Sequence, residues 1–264
     1  VYDTKEEFDT SDLAWKIYNI MYDLTNCVEN DDTRKAVKGI INYDGITTPD
    51  ELVYSGDTDF NFGLGWSHSI FDKYKNYIDE ISFGSDDERE QFIKRYTTSL
   101  MVCQDVYKSI VNISLMPKTG NLQMTKKGLG NDRLDVFVWA LDRYYDENEH
   151  INLLVNYSTW NHMEHLYQYL NQFSDVYEYC KAVYHINGSL VDDMIESGKK
   201  GIDSPERVIE YMYLALRFWR QKLMFLNSCD LSEEIKSEIL IICNKCSFFA
   251  FFLAKMHFFC KNIW

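Results

Sequence analysis

The sequence predicts an α+β domain that is predominantly α-helical, with helices packed around a buried central helix and a small β-sheet. Its 264 residues include only 3 prolines and 12 glycines, so few turn formers interrupt the chain. Apolar side chains recur at helical spacing through most of the sequence. Residues 109–116 instead form a β-branched, roughly alternating segment that Pro117 ends, which is typical of a strand.

The N-terminal part is predicted to hold one helix followed by irregular turns. Residues 1–10 are polar and acidic, and Ser11 can cap a helix that reaches about residue 27. Residues 28–65 contain clusters of Asn, Asp, Gly and Pro, which favour turns. One short helix is expected there, at residues 48–51, because a Pro follows a capping Thr.

Three aspartates in this part raise the question of a calcium-binding loop. Asp44, Asp57 and Asp59 lack the ligand spacing and the terminal Glu of an EF-hand. We therefore expect these carboxylates to lie in solvated turns.

Helices are predicted over most of the remaining chain. Ser85 and Glu88 form a capping box, and Pro205 marks another helix start. Residues 98–106 either continue the helix before the strand or pair with the strand. The helix that starts at residue 131 or 132 is apolar on nearly every side, so we expect it to be buried between layers. The predicted helices cover residues 67–81, 85–100, 132–145, 159–184 with a bend near 174–175, 190–196, 204–226 and 232 to the C-terminus.

No internal repeat or low-complexity linker divides the sequence. Residues 1–264 are therefore expected to form a single domain, and residues 146–156 are the best candidate for a weak subdivision.

The charge distribution argues against a general nucleic-acid-binding protein. The chain carries a formal net charge of −14, and residues 1–112 hold 22 acidic and 11 basic side chains. Nucleic-acid binding requires a cationic face that contacts phosphates. Residues 118–133 are locally basic, however, and could hold one phosphate or a short strand.

The cysteines and the N-terminus indicate a cytoplasmic protein. The 7 cysteines are odd in number and most lie in helical patterns, which indicates free thiols. The polar, acidic first residues do not have the pattern of a signal peptide. We therefore expect the protein in a reducing cytoplasm.

A Lys- and Gly-rich segment before the central helix is the strongest candidate for a binding site. Glycines let backbone N–H groups approach a ligand, and a helix start favours an anion. The segment lacks the Gly-Lys-Ser/Thr of a Walker loop. A solvated hairpin-like loop, with Arg133 paired to Asp132 or Asp135, is the alternative. The candidate anion-binding residues are Lys118, Lys126, Lys127 and Arg133.

Aspartates of the central helix form a candidate acidic site. Asp132, Asp135 and Asp142 fall on one stripe around Trp139 and could bind Mg²⁺ or act as an acid and a base. They span about three turns, which is wide for one metal. Solvent-facing carboxylates near a helix start are commoner, so no metal is predicted here.

Two other groups of side chains have metal-ligating chemistry. His162 and His165 lie three residues apart on a predicted helix, where a surface role is commoner. A C-terminal group resembles a zinc pattern, but the residues between its members lack the turn that a zinc site requires. Buried apolar thiols and no cofactor are expected, although the sequence leaves zinc open. The group consists of Cys243, Cys246, His257 and Cys260.

The C-terminal segment is rich in apolar residues. Residues 239–264 contain no acid and three lysines, and seven aromatic residues lie between Phe248 and Trp264. Lys245 and Lys255 interrupt the apolar run, whereas a membrane span needs about 20 apolar residues. The segment is either a core helix or a helix that binds a protein partner, with self-association as the specific expectation.

A pattern in the central segment carries a family resemblance. A strand ends in Met116-Pro117, a basic Gly loop follows at residues 126–130, a helix starts with Asp132-Arg133-Leu134-Asp135, and it ends with Tyr144-Tyr145. In this pattern the chain resembles an uncharacterised bacterial protein family, over about residues 60–225. The resemblance implies no reaction and no catalytic residues, but it draws attention to Asp132, Arg133 and Asp135.

Two functions follow as hypotheses. The first is an interaction or regulatory protein, in bacterial stress response or phage defence, because the sequence combines many tyrosines, acidity, an apolar tail and no catalytic signature. The alternative is an enzyme or toxin that acts on a nucleotide or nucleic-acid substrate at residues 126–135. An anion on the backbone N–H groups near Arg133 would support the alternative, whereas Asp–Arg pairs that close the loop would contradict it.

Overall fold

The fold is described by a computed structural model and is predominantly helical, with an antiparallel sheet. This observation confirms the predicted α+β class. The structure describes residues 12–30, 36–43, 46–48, 52–62, 82–107, 109–117, 122–130, 133–149, 151, 153, 163–237 and 239–244.

Most strands of the described structure lie in the N-terminal part of the chain, and helices make up most of the rest. The helices are α1 (Asp12–Met21), α2 (Asp86–Tyr107), α3 (Leu122–Gly130), α4 (Leu134–Tyr145), α5 (Met163–Leu170), α6 (Val176–Tyr184), α7 (Gly188–Lys200) and α8 (Pro205–Ser228). The strands are β1 (Asp23–Asn30), β2 (Ala36–Tyr43), β3 (Ile46–Thr47), β4 (Val53–Thr58) and β5 (Ile113–Pro117). Residues 233–237 and 239–244 are also helical.

The sheet is built mainly from the N-terminal part of the chain. Its strands pair antiparallel in the order β1-β2-β4-β5, and β3 pairs with β2. The prediction of irregular turns over residues 28–65 is therefore wrong. The helix predicted up to about residue 27 also ends earlier, because the Asp23 carboxylate accepts hydrogen bonds from the N–H and hydroxyl of Thr25 and the chain enters β1.

Strand β4 shows why the sequence pattern does not predict the N-terminal strands. Its sequence, Val-Tyr-Ser-Gly-Asp-Thr, is polar, yet residues 54–58 are buried. It pairs with β5 from Tyr54 opposite Pro117 to Thr58 opposite Ile113. Because β-propensity reflects burial and neighbouring strands more than the local sequence, composition alone did not reveal this strand.

Thr48 belongs to the sheet rather than to a helix start. Its hydroxyl accepts a hydrogen bond from the Ile41 N–H at 2.9 Å, and its own N–H donates to the Ile41 carbonyl at 3.0 Å. The rest of the predicted short helix, residues 49–51, lies outside the described residues, as does the helix predicted over residues 67–81.

Helix α2 begins with the predicted capping box. Ser85 Oγ accepts a hydrogen bond from the Glu88 N–H at 3.3 Å, and the Glu88 carboxylate accepts one from the Gly84 N–H at 3.0 Å. The helix continues to Tyr107, so residues 98–106 complete it rather than form a second strand.

The predicted strand and loop after α2 are both shorter than expected. A 3₁₀ turn, Ile110–Asn112, occupies the start of the predicted strand, and β5 begins at Ile113. Much of the expected Lys- and Gly-rich loop is helix α3, and α4 begins after Arg133 rather than at residue 131 or 132. Burial of Leu122 against the core stabilises α3, since tertiary packing overrides the low helix propensity of glycine.

The C-terminal helices largely follow the predicted caps. The side chains of Asp175 and Ser204 cap α6 and α8, and the break before Asp175 lies at the predicted bend. Helix α7 starts after its cap, Asn187, and continues past Gly198. The prediction of a helix confined to residues 190–196 is therefore too short.

Helix α4 is buried, as the sequence predicts. Leu134, Phe137, Val138 and Leu141 are completely buried in a core that α3, α6 and α7 also line. This apolar core includes residues from both sides of the 146–156 segment.

An aromatic cluster joins the sheet to α5 and α6. Tyr43 and Tyr54 of the sheet pack edge-on against Tyr169, which also contacts Phe173 and Tyr179. The ring centroids in these contacts lie 5.5 to 6.2 Å apart. Such edge-to-face pairs contribute beyond the area that they bury, and they account for part of the high aromatic content.

The close contact between α4 and α7 requires glycine at residue 198. A Cβ there would lie 2.5 Å from the Asp135 carbonyl oxygen and 2.9 Å from Trp139 Cβ. We expect Gly198→Ala to lower the free energy of unfolding by about 2 kcal/mol, because overpacking forces the two helices apart. Urea unfolding measures this change.

Gly188→Ala is the matched control, since its nearest neighbour is a Tyr177 ring atom at 3.6 Å. This variant should be as stable as the wild type or slightly more stable, because alanine has the higher helix propensity. Equal losses in the two variants would contradict the assigned helix contact.

Candidate functional site

Charged side chains are buried where β4 ends. Asp57 lies in β4 and Asp59 follows it, and both are buried. Lys126 of α3 and Lys222 of α8 face them, and neither lysine side chain is exposed to solvent. We call these four residues the charge cluster. The expectation of solvated turns is wrong for these two aspartates, and Asp44 lies outside the described residues.

Lys222 has an acceptor for each of its three N–H donors. Its Nζ donates to Asp59 Oδ2 at 2.7 Å, to Ser114 Oγ at 2.6 Å and to the Ile113 carbonyl at 3.0 Å. The Ser114 hydroxyl in turn donates to Asp59 Oδ2 at 2.9 Å. The ammonium is therefore fully paired within the protein, as a buried cation must be.

Lys126 is held by the end of the same strand. Its Nζ lies 2.5 Å from Asp57 Oδ2 and also donates to the Thr58 carbonyl oxygen. The Asp57 side chain is only 12% exposed. Lys126, a predicted anion-binding residue, is thus paired with a carboxylate and turned away from solvent.

Burial shifts the protonation equilibria of the central pair. Burial raises the pKa of Asp59, and the positive charges of Lys222 and Lys126 counteract part of that rise. Burial lowers the pKa of Lys222, and the Asp59 charge counteracts part of that change. Each charge in the pair therefore depends on its partner.

Arg133 forms a third buried ion pair, outside the charge cluster. Its Nε donates to Asp135 Oδ1 at 3.0 Å, a second guanidinium nitrogen contacts Asp135 Oδ2, and the Ser197 hydroxyl donates to Asp135 Oδ2 at 2.7 Å. The guanidinium also lies over the Tyr211 ring, 5.4 Å from its centroid. A bidentate Arg–carboxylate pair of this kind orients both groups strongly.

Of the remaining predicted site residues, the structure describes the side chain of Asp142. Asp142 is half-buried on α4, two turns away from Asp135, and burial raises its pKa. The structure describes the backbone of Lys127, which lies in α3, but not its side chain. Lys118 and Asp132 lie outside the described residues.

The structure places few of the candidate metal ligands. His165 is half-buried on α5, and Cys243 is half-buried in the helical residues 239–244. The other members of both groups lie outside the described residues. Among the residues that are described, no group of three or more His, Cys, Asp or Glu side chains could hold a metal ion.

A second candidate site is an open groove with a volume of about 1090 Å³. It lies where the end of α1 and the neighbouring ends of β1 and β2 meet α6 and α8. Its lining residues are Met21, Asp23, Asn42, Ser174, Asp175, Tyr177, Glu178, Lys181, His185, Ile186, Asn187, Gly188, Gln221, Met224 and Phe225.

The floor of the groove is a stacked pair of rings. The His185 and Phe225 rings are parallel, with centroids 3.8 Å apart. His185 ends α6 in the left-handed conformation, with φ of 56°, and its N–H donates to the Lys181 carbonyl. The neighbouring Asn187 N–H donates to Gln221 Oε1 of α8 at 2.8 Å, so the turn is fixed to both helices.

The groove combines exposed apolar side chains with charge. Met224 is 72% exposed and Tyr177 is 41% exposed. Hydrogen bonds from the Thr25 hydroxyl and N–H lower the pKa of Asp23. A hydrogen bond from the Ser174 N–H lowers the pKa of Glu178. Both carboxylates therefore stay ionised even in mildly acidic solution.

Tyr22 connects the groove floor with the charge cluster. Its hydroxyl donates to the Val183 carbonyl at 2.8 Å and accepts a hydrogen bond from the Leu115 N–H at 3.4 Å. Its ring centroid lies 5.5 Å from that of His185. Burial, followed by the charge of Asp59, raises the pKa of Tyr22, so the phenol stays protonated.

The comparisons with known proteins leave the site to be interpreted from its own chemistry. No model of a protein family matches the chain, no curated protein matches it, and no solved structure matches the fold. Over the described part of the chain, each helix is too short or too polar to cross a membrane.

Removing the buried ammonium tests the charge cluster. We expect Lys222→Met to lower the free energy of unfolding by about 3–5 kcal/mol, because Asp59 is left without its cation. Without Lys222 the folded pKa of Asp59 rises further above the unfolded value of about 3.9. Stability is then lost as the pH rises through the folded pKa. Urea unfolding between about pH 5 and pH 8 measures this trend.

The double variant Asp59→Asn with Lys222→Met is the control. It should recover part of the lost stability, since the uncompensated charge is gone. A Lys222→Met loss that is the same across this pH range would contradict the assigned ion pair.

Substitution of Arg133 distinguishes a structural role of this residue from a role in anion binding. We expect Arg133→Ala to destabilise the protein by roughly 3 kcal/mol, because the completely buried Asp135 carboxylate loses its partner. Adding Asp135→Asn should restore much of the stability. Thermal unfolding of the wild type in phosphate and in chloride of equal ionic strength completes the measurement. A stability change within about 0.5 kcal/mol for Arg133→Ala, with phosphate stabilising only the wild type, would instead favour an anion site.

Proposed function

We propose that the protein is an interaction protein that binds a protein partner in the groove, as a regulatory component of bacterial stress response or phage defence. The observation that carries the proposal is the exposure of Met224 and Tyr177 within the groove, beside the His185–Phe225 stack. Exposed apolar side chains rimmed by polar groups are typical of protein-binding surfaces. Methionine is common at such surfaces because its flexible thioether adapts to different partners.

The chemistry around residues 126–135 gives less support to an enzyme that acts on phosphates. Its two described cationic side chains, Lys126 and Arg133, already contact Asp57 and Asp135. A phosphate there would have to displace a carboxylate or lie beside it, at a cost in repulsion. For this reason the interaction protein is the preferred proposal.

The C-terminal helix is a second candidate contact surface. Leu240 and Ile241 are 62% and 43% exposed, while Ile239 and Ile242 are buried against the core. The aromatic residues that follow lie outside the described residues. Self-association through this helix stays a prediction, and the exposed pair supports it.

Removing one groove methionine tests the proposed function. We expect Met224→Ser to weaken partner binding roughly tenfold, because an exposed apolar contact of the groove is lost. The measurement is quantitative affinity capture from cells that produce the protein, followed by calorimetric titration of the purified partner. Since Met224 is 72% exposed, the variant should unfold within about 0.5 kcal/mol of the wild type.

Met101→Ser is the matched control, because Met101 lies on α2 outside the groove and is 59% exposed. It should capture and bind the partner as the wild type does. A partner set that is identical for the wild type and both variants would overturn the groove as the binding surface.

A further inference from the structure

We infer that the groove selects a basic amphipathic segment, in which lysine or arginine flanks one or more bulky apolar side chains. This inference rests on the proposed function and names the class of partner for the same groove. The occupant is a segment of another protein chain, recognised by charge and by apolar contact.

The size and shape of the groove favour a segment of chain over a small molecule. Small-molecule sites typically enclose about 300–1,000 Å³ and cover most of the ligand surface. This groove has a volume of about 1090 Å³ and is open to solvent, and Met224 at its edge is 72% exposed. An open surface of this size contacts one side of a longer ligand and leaves the other side in water.

The charges of the groove favour a cationic segment. Three carboxylates, Asp23, Asp175 and Glu178, line it together with one described cation, Lys181. Local donors hold two of these carboxylates in the ionised form: the N–H and hydroxyl of Thr25 for Asp23, and the N–H of Ser174 for Glu178. The excess of negative charge therefore persists across the neutral pH range, and it attracts a positively charged partner.

The carboxylates of the groove come from two elements. Asp23 begins β1, whereas Asp175 and Glu178 lie at the start of α6. A cationic segment bound in the groove therefore meets negative charge contributed by both elements.

The floor of the groove supplies the apolar contact. The stacked rings of His185 and Phe225 line the groove together with the Met224 and Tyr177 side chains. The Tyr177 hydroxyl donates to Asp192 Oδ1 at 2.8 Å, which restrains the ring, and the residue is 41% exposed. A bulky aliphatic or aromatic side chain of the partner fits against these rings and gains from leaving water.

Selection from a library of short random peptides tests the inference on the full-length chain. Peptides are selected on the wild type and counter-selected on Met224→Ser. We expect the wild-type-specific peptides to be enriched in lysine or arginine around a large apolar residue. Enrichment of acidic or uncharged peptides would overturn the basic class while leaving the groove as a binding surface. Failure to find any peptide that distinguishes the wild type from Met224→Ser would overturn the proposed function itself.

The second experiment removes the charges of Asp23 and Glu178, which we call the rim carboxylates. The affinity for the most enriched peptide is measured by fluorescence anisotropy. Asp23→Asn with Glu178→Gln keeps an amide oxygen for each local hydrogen bond and removes both charges. We expect this variant to bind roughly tenfold more weakly, and added salt to weaken the wild-type complex. Glu196→Gln with Glu210→Gln, which removes two carboxylates outside the groove, should bind as the wild type does. Equal affinity in the wild type and the rim variant would overturn the assigned charge recognition.

The C-terminal residues of the chain itself provide a competing occupant in the same assay. Residues 245–264 contain lysines, aromatic residues and no acid. A synthetic peptide of this sequence has the composition that the groove is inferred to select, so it is the necessary competitor. If it leaves the selected peptide bound, the result supports a segment of another protein as the occupant. If it displaces that peptide at comparable concentration, the occupant is the chain's own C-terminal segment and the assignment to another protein is overturned.

Discussion

The burial of the Lys222 ammonium is the constraint on which much of the structure depends. A cation removed from water needs acceptors for all three N–H donors, and it finds them on Asp59, Ser114 and the Ile113 carbonyl. These acceptors belong to β5 and to the residue after β4, so one side chain joins α8 to two strands. A shift in register would leave a charge unpaired, which costs several kcal/mol. The register of the sheet and the position of α8 are therefore coupled.

Hydrogen bonds between uncharged groups fix the same contact between α8 and the sheet, and others lie beside the groove. The Asn112 side chain takes part in four hydrogen bonds, including two with the Phe60 backbone and one with the Trp219 indole N–H. Tyr22 bonds the β5 backbone and packs beside His185 in the groove floor. These polar groups are satisfied inside the protein, and Tyr22 supports one ring of the floor by packing beside it. A preformed floor lowers the entropy lost when a partner binds.

The sequence was informative where the determinants are local. The Ser85 and Ser204 caps and the apolar stripe of α4 act within a few residues, so they predicted helices correctly. The N-terminal strands are not predicted, because the buried Asp57 in β4 and Asp59 just after it are paired with lysines that are distant in the sequence. A signal for this was present in α8, where Lys222 lies between Trp219 and Leu226 on an otherwise buried stripe. A lysine at such a position requires a buried carboxylate. The groove had no comparable signal, because separate elements contribute its lining.

The distribution of charge between the interior and the rest of the chain bears on the kind of partner that we propose. In the described interior, Asp57, Asp59 and Asp135 are balanced by Lys126, Lys222 and Arg133. The net charge of −14 is therefore carried by the rest of the chain, where it produces a negative field in solution. That field repels phosphate-containing ligands and steers cationic segments toward the protein. The local pairing at residues 126–135 and the field of the whole protein are thus both consistent with the proposal that a partner binds in the acidic groove rather than at residues 126–135.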